Sequence, residues 1–78
     1  MTTLVDEVIH RQRFPPKEVA RAIRVGAGVS QERLAIELGV ARVTVARWEL
    51  GLRKPRGAVA DRYRDLLERL RVATGGVE

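Results

Sequence analysis

Apolar residues recur along this chain at three- and four-residue intervals, and no stretch alternates apolar and polar for five or more residues. That spacing predicts an all-α fold, a compact bundle of about five helices in a single domain over 1–78. The first helix is expected from about Thr3 to Gln12, where Leu4, Val5, Val8, Ile9 and Gln12 share a face. Thr3 would cap it, with Asp6 and Glu7 in the first turn. Pro15-Pro16 ends that segment. The second helix opens at the proline pair, with Pro16 in its first turn, and Val19, Ala22 and Ile23 form its inward stripe. Gly26 and Gly28 supply its exit. Ser30 caps the third helix, which turns Leu34, Ala35 and Leu38 inward and stops at Gly39. The fourth spans about Arg42 to Leu50, with Val45 and Trp48 inward and Gly51 as its stop. A basic loop follows, Leu52-Arg53-Lys54-Pro55-Arg56-Gly57, and its proline disfavours helix. The last and longest helix runs from about Ala58 to Ala73, with Val59, Tyr63, Leu66, Leu67 and Leu70 on one face. Residues 74–78 read as a frayed tail.

The stretch from Gln31 to Leu50 carries the most information. Only Gly39-Val40-Ala41 separates its two helices, so they must cross sharply. A sharp crossing needs a small residue at the close approach, and Ala35 supplies it. The turn needs a residue that tolerates positive φ, and Gly39 supplies it. Apolar residues must plug the junction, and Leu34, Leu38, Val40, Val45 and Trp48 have the spacing to do so. These features together are a helix-turn-helix pattern.

Composition narrows the function. The chain has 78 residues, 15 Lys+Arg against 10 Asp+Glu, and no cysteine. Without cysteine there is no disulfide and no thiolate zinc site, so packing alone holds the fold. No run approaches the roughly 18 apolar residues of a membrane span. The first residues lack the basic and apolar regions of a signal peptide, so a cytoplasmic setting is expected, in a bacterium or a phage-infected host cell. The net charge of +5 suits a polyanionic partner. It is concentrated: Arg42, Arg47, Arg53, Lys54 and Arg56 face one acid, Glu49, between Ala41 and Arg56. No carboxylate pair or nucleophile grouping suggests catalysis, so the chain is not expected to be an enzyme. His10, the single histidine, lacks a second ligand for a metal, and Gly26-Ala27-Gly28 lacks the strand and Lys of a phosphate-binding loop. Neither a metal nor a cofactor is expected.

The strings Ser30-Gln31-Glu32-Arg33-Leu34-Ala35 through Leu38-Gly39-Val40, and Trp48-Glu49-Leu50-Gly51 with Lys54-Pro55, resemble the lambda-repressor-like family, the Cro/C1-type (XRE) helix-turn-helix proteins. The resemblance covers about residues 16–57 and is weaker over 58–74. It implies double-stranded DNA as the partner, with the helix from Arg42 in the major groove, whose roughly 12 Å width admits one helix. Arg42, Val43, Thr44 and Arg47 would then face the bases. Arg is the usual bidentate partner of guanine, so a half-site with at least one contacted guanine is expected. Gln31 would hold a phosphate at a helix N-terminus, and Arg53, Lys54 and Arg56 would grip a second. The resemblance also implies that Glu49 pairs with Arg24, which makes both structural alongside Ala35, Gly39, Val45 and Trp48.

Members commonly carry two short helices after the basic loop, where this chain has one longer helix and an added N-terminal one. The usual dimer contact therefore does not transfer. Two surfaces are candidates, the Leu66/Leu70 end of the last helix and the Leu4/Val5/Val8/Ile9 stripe. The second is better read as packing on the core. The function expected is a sequence-specific transcriptional regulator, a small phage Cro or immunity repressor that occludes a promoter as a homodimer, formed in solution or only on DNA. The competing function is an antitoxin or antirepressor acting through a protein partner. An antitoxin usually adds a disordered tail, and only four residues follow Thr74.

Overall fold

The computed structural model describes residues 14–75. Within them lie four helices and no strand: α1 (Lys17–Gly26), α2 (Gln31–Leu38), α3 (Arg42–Leu50) and α4 (Gly57–Ala73). The all-α expectation holds, and the four helices match the second to fifth expected ones to within a residue at each start. The helix expected over 3–12 lies outside the described residues, as do the last three residues of the expected tail.

Local chemistry sets the helix ends. Pro16 is the N-cap of α1, and its carbonyl accepts the first helical bond, from the Ala20 N–H at 2.9 Å. The Ser30 hydroxyl caps α2 by accepting from the Arg33 N–H at 3.0 Å. Both α2 and α3 end in a Schellman closure. Val40 N–H donates to Ala35 O and Gly39 N–H to Ile36 O; likewise Leu52 N–H donates to Arg47 O and Gly51 N–H to Trp48 O. Gly39 and Gly51 have φ of 72° and 79°, a left-handed geometry that a side chain would strain. These two glycines therefore bracket α3 and fix its length. The Thr74 hydroxyl closes α4 by donating to Leu70 O and Arg71 O.

The core gathers Ala20, Leu34, Ala35, Leu38, Val45, Trp48, Tyr63 and Leu67. Helices α1 and α2 each pack on both α3 and α4, and α2 also crosses α3 closely. Leu34, Val45, Tyr63 and Leu67 are essentially sealed from solvent. Each such burial contributes roughly 1.5–3 kcal/mol. Trp48 stacks on Tyr63 with ring centroids 4.8 Å apart, and Phe14 leans on the same ring at 4.9 Å. Arg62 Nη2 donates to Leu38 O at 2.9 Å, which latches α4 to the end of α2.

The inward stripe of α1 differs from the expected one. Val19 and Ala22 are exposed and Ile23 is half-buried, while Ala20 and Arg24 are buried. The helix is rotated because Arg24 takes a core position, and it takes that position because Glu49 waits there.

Candidate nucleic-acid interface

Arg24 and Glu49 meet in a two-point ion pair. Arg24 Nε donates to Glu49 Oε2 at 2.6 Å and Nη2 to Oε1 at 2.9 Å. The remaining Nη1 donates to Val29 O at 2.7 Å. The two side chains are 10% and 3% exposed, so α1 holds α3 through a desolvated charge pair. Burial pushes the Glu49 carboxyl up, but hydrogen bonds from Arg24 and Gln31, with the Arg24 charge, outweigh it and hold the group below the usual carboxylate range. The hydrogen bond to Glu49 raises Arg24 in turn, against the opposing effect of burial. Tyr63 is pushed up to about 12, first by burial and then by the Glu49 charge.

Gln31 extends this pair outward. Its Nε2 donates to Glu49 Oε1 at 3.0 Å, and its Oε1 accepts from Arg42 Nη1 at 3.2 Å. A chain therefore runs from the scaffold to the first residue of α3: Arg24, Glu49, Gln31, Arg42. The side-chain amide of Gln31 is engaged at both ends. The N-terminal position of α2 expected to hold a phosphate is where the structure puts Gln31, half-buried beside α3. Sequence reasoning did not anticipate its bonds to Glu49 and Arg42. The signal that points to them is geometric: a sharp α2–α3 crossing brings the start of α2 across to α3.

Of the residues expected to face bases, Arg42, Val43 and Arg47 are exposed and Thr44 is half-buried. Val43 keeps 44% exposure, which leaves its side chain open to a partner. Thr44 and Arg47 border a hollow of about 670 Å³ together with Arg53, Lys54 and Arg56. The structure thus brings together one end of α3 and the loop after it. Leu52, 70% exposed, lies in the same hollow and was not anticipated. Among the described residues no carboxylate pairs with Arg42, Arg47, Arg53, Lys54 or Arg56. Glu49, the only acid of that stretch, is turned inward and neutralised by Arg24. The charges left on this face, Arg42, Arg47, Arg53, Lys54 and Arg56, are all cationic. Such a face attracts phosphates, and counterion release drives the association.

Ala35, Gly39, Val45 and Trp48 fall where the sharp crossing needs them. Ala35 is 2% exposed at the approach of α2 to α3, Val45 is fully buried, and Trp48 is stacked on Tyr63. Trp48, 7% exposed, is therefore a core residue.

The match to known proteins agrees with this geometry. A family model described as helix-turn-helix covers residues 21–70, from α1 through most of α4. Neither the search of curated proteins nor that of solved structures returned a match. The matched region contains the α2–α3 crossing, the Arg24–Glu49 pair and the cationic face, and so the chain belongs to the Cro/C1-type helix-turn-helix family of DNA-binding transcription regulators.

Proposed function

We propose that the protein is a sequence-specific repressor of the small phage Cro or immunity-repressor type, working by promoter occlusion in a bacterial or phage-infected cytoplasm. It binds and excludes; it does not catalyse. Helix α3 lies in the major groove. Arg42 and Arg47 donate to guanine edges, Val43 packs on a thymine methyl and Thr44 lies at the groove floor. Arg53, Lys54 and Arg56 grip the backbone on one side of the helix. On the other, Gln31 meets a phosphate at the start of α2 while it steadies Arg42. One such head reads about 4–6 base pairs, too few for a genome. Two copies on half-sites about 34 Å apart restore specificity, and the homodimer forms in solution or on the operator.

The observation that carries this reading is that the five cations of α3 and its following loop have no carboxylate partner among the described residues, when the arginines of α4 all have partners there. A mobility-shift titration with selected and shuffled duplexes tests it. Arg42→Ala and Arg47→Ala should each weaken specific binding by about 5- to 150-fold. A shuffled duplex that competes as well as the selected site would overturn sequence-specific recognition, as would normal binding by both variants.

A further inference from the structure

Helix α1 turns a row of cations toward α3. Lys17, Arg21 and Arg24 follow one another at helical spacing, so they share one side of the helix. Arg24 fixes which side that is, because it is buried against Glu49 of α3. Lys17 agrees from the other end of the row. Its stem lies across the end of α3, where a Cβ on Gly51 would come 2.9 Å from Lys17 Cδ. Arg21 stands between them and is exposed. Burial pushes the Glu49 carboxyl up, hydrogen bonds from Arg24 and Gln31 pull it down, and the charges of Arg24 and Arg21 add to that pull. The Arg21 charge therefore reaches the same edge of α3.

The row continues the cationic surface of the α3 loop. Lys17, Gly51, Arg53 and Lys54 line one hollow of about 430 Å³. Gly51, Arg53 and Lys54 also border the hollow that holds Thr44 and Arg47. At its other end the row reaches Arg24, whose partner Glu49 accepts from Gln31. It thus spans the interval between the loop and Gln31, the two places where phosphates are expected.

Arg21 has no carboxylate partner among the described residues. Lys17 has one, Glu18, at 2.8 Å. That pair differs from those of α4, which stand three or four residues apart where a helix brings side chains together. Lys17 and Glu18 are adjacent, and a helix turns neighbours about 100° apart. Glu18 is also 71% exposed, so solvent screens the pair and a phosphate can replace it.

We propose that Lys17 and Arg21 grip the phosphate backbone of the duplex, an assignment that rests on α3 lying in the major groove. This grip on α1 joins those of the loop and of Gln31. It adds affinity and fixes orientation without reading bases. Glu18 competes with the phosphate for Lys17. Lys17 also lies before the residues matched by the helix-turn-helix model, 21–70, so the family match does not cover it.

Salt titration of duplex binding by the full chain tests this with Lys17→Met, Arg21→Gln and the double variant. Lys17→Met keeps a stem over Gly51 and removes the charge. Each single change should weaken the selected and a shuffled duplex alike, by about fivefold near 0.15 M salt, and lower the slope of log affinity against log salt by about 0.9. The double variant should lower the slope by about twice as much. Glu18→Gln should act in the opposite direction and tighten binding, since it frees Lys17. Melting temperatures should stay close to that of the parent, because all three side chains are exposed. Unchanged slopes for Lys17→Met and Arg21→Gln, beside a lowered slope for Lys54→Ala, would overturn the α1 grip and leave the DNA interface standing. Unchanged slopes for all three would overturn both. An equal fall for Arg69→Ala would show a response to net charge alone and would overturn the α1 grip as well.

Discussion

Helix α4 and the segment from α3 through its following loop are both rich in arginine, yet their charges have different fates. On α4, Arg64 pairs with Asp61, Arg69 with Asp65 and Arg71 with Glu68, while Arg62 donates to a backbone carbonyl. On α3 and the loop, Arg42, Arg47, Arg53, Lys54 and Arg56 have no carboxylate partner among the described residues. The difference lies in the acids. Those of α4 stand three or four residues from its arginines, where helical geometry brings them together. The one acid of the other segment, Glu49, points into the core and is held by Arg24. Counting basic residues alone, four against five, would rank the two surfaces nearly alike. Following each charge to its partner leaves one of them with an unanswered cationic field.

Three kinds of cation follow from this contrast: buried and paired with a carboxylate, exposed without a carboxylate partner among the described residues, and exposed and paired. The largest effect belongs to the first. Glu49→Ala leaves Arg24 desolvated and alone, which should cost on the order of 3–5 kcal/mol. A fall in melting temperature of roughly 15 °C or more would register that loss. DNA binding should weaken with it, since Gln31 and Arg42 lose their anchor. Should Glu49→Ala melt within a few degrees of the parent, the pair does not hold α3 to the scaffold.

The second kind acts on binding and not on folding. Lys54→Ala should leave the melting temperature unchanged and weaken every duplex alike. It should also lower the slope of log affinity against log salt by about one, because one phosphate contact is lost. An unchanged slope would remove Lys54 from the interface.

Acid sharpens the role of the buried pair. The folded Glu49 group sits below its ordinary value, so its contribution to stability is complete above the unfolded pKa of about 4.3 and is lost as pH falls through the folded value. Melting temperatures measured downward from pH 5 should fall more steeply for the parent than for Glu49→Gln. Parallel curves would contradict this account of the carboxylate.

The smallest effect belongs to the third kind. Arg69 and Asp65 are 71% and 65% exposed, and solvent screening leaves such a pair about 0–1 kcal/mol. Arg69→Ala should therefore change neither the melting temperature by more than about 8 °C nor DNA affinity beyond experimental error. A loss of binding comparable to that of Arg47→Ala would erase the distinction between the two surfaces.

The crossing of α2 and α3 was legible in the sequence for physical reasons. Leu34, Leu38, Val45 and Trp48 repeat at helical spacing, and Gly39 and Gly51 stop the helices where only a left-handed residue closes the turn. The exposed cations were legible too, because charges with no acid at helical spacing have nowhere local to pair. The face of α1 was not legible. Periodicity counts apolar residues, and Arg24 fills a core position with a charge whose partner lies 25 residues away. The Gln31 bridge was hidden for the same reason, since its bonds reach 18 residues to Glu49 and 11 to Arg42. Local pattern reveals local structure, and a buried polar network is assembled only by the fold.

Selection of bound sequences from random duplexes, run in parallel on the parent, Arg47→Ala and Arg69→Ala, tests the central contrast most directly. The account predicts a half-site motif with at least one strongly preferred guanine for the parent. It predicts the same motif for Arg69→Ala and a relaxed preference at one guanine position for Arg47→Ala. No enriched motif for the parent, or an identical motif for Arg47→Ala, would contradict the assignment of the unpaired cations to DNA reading.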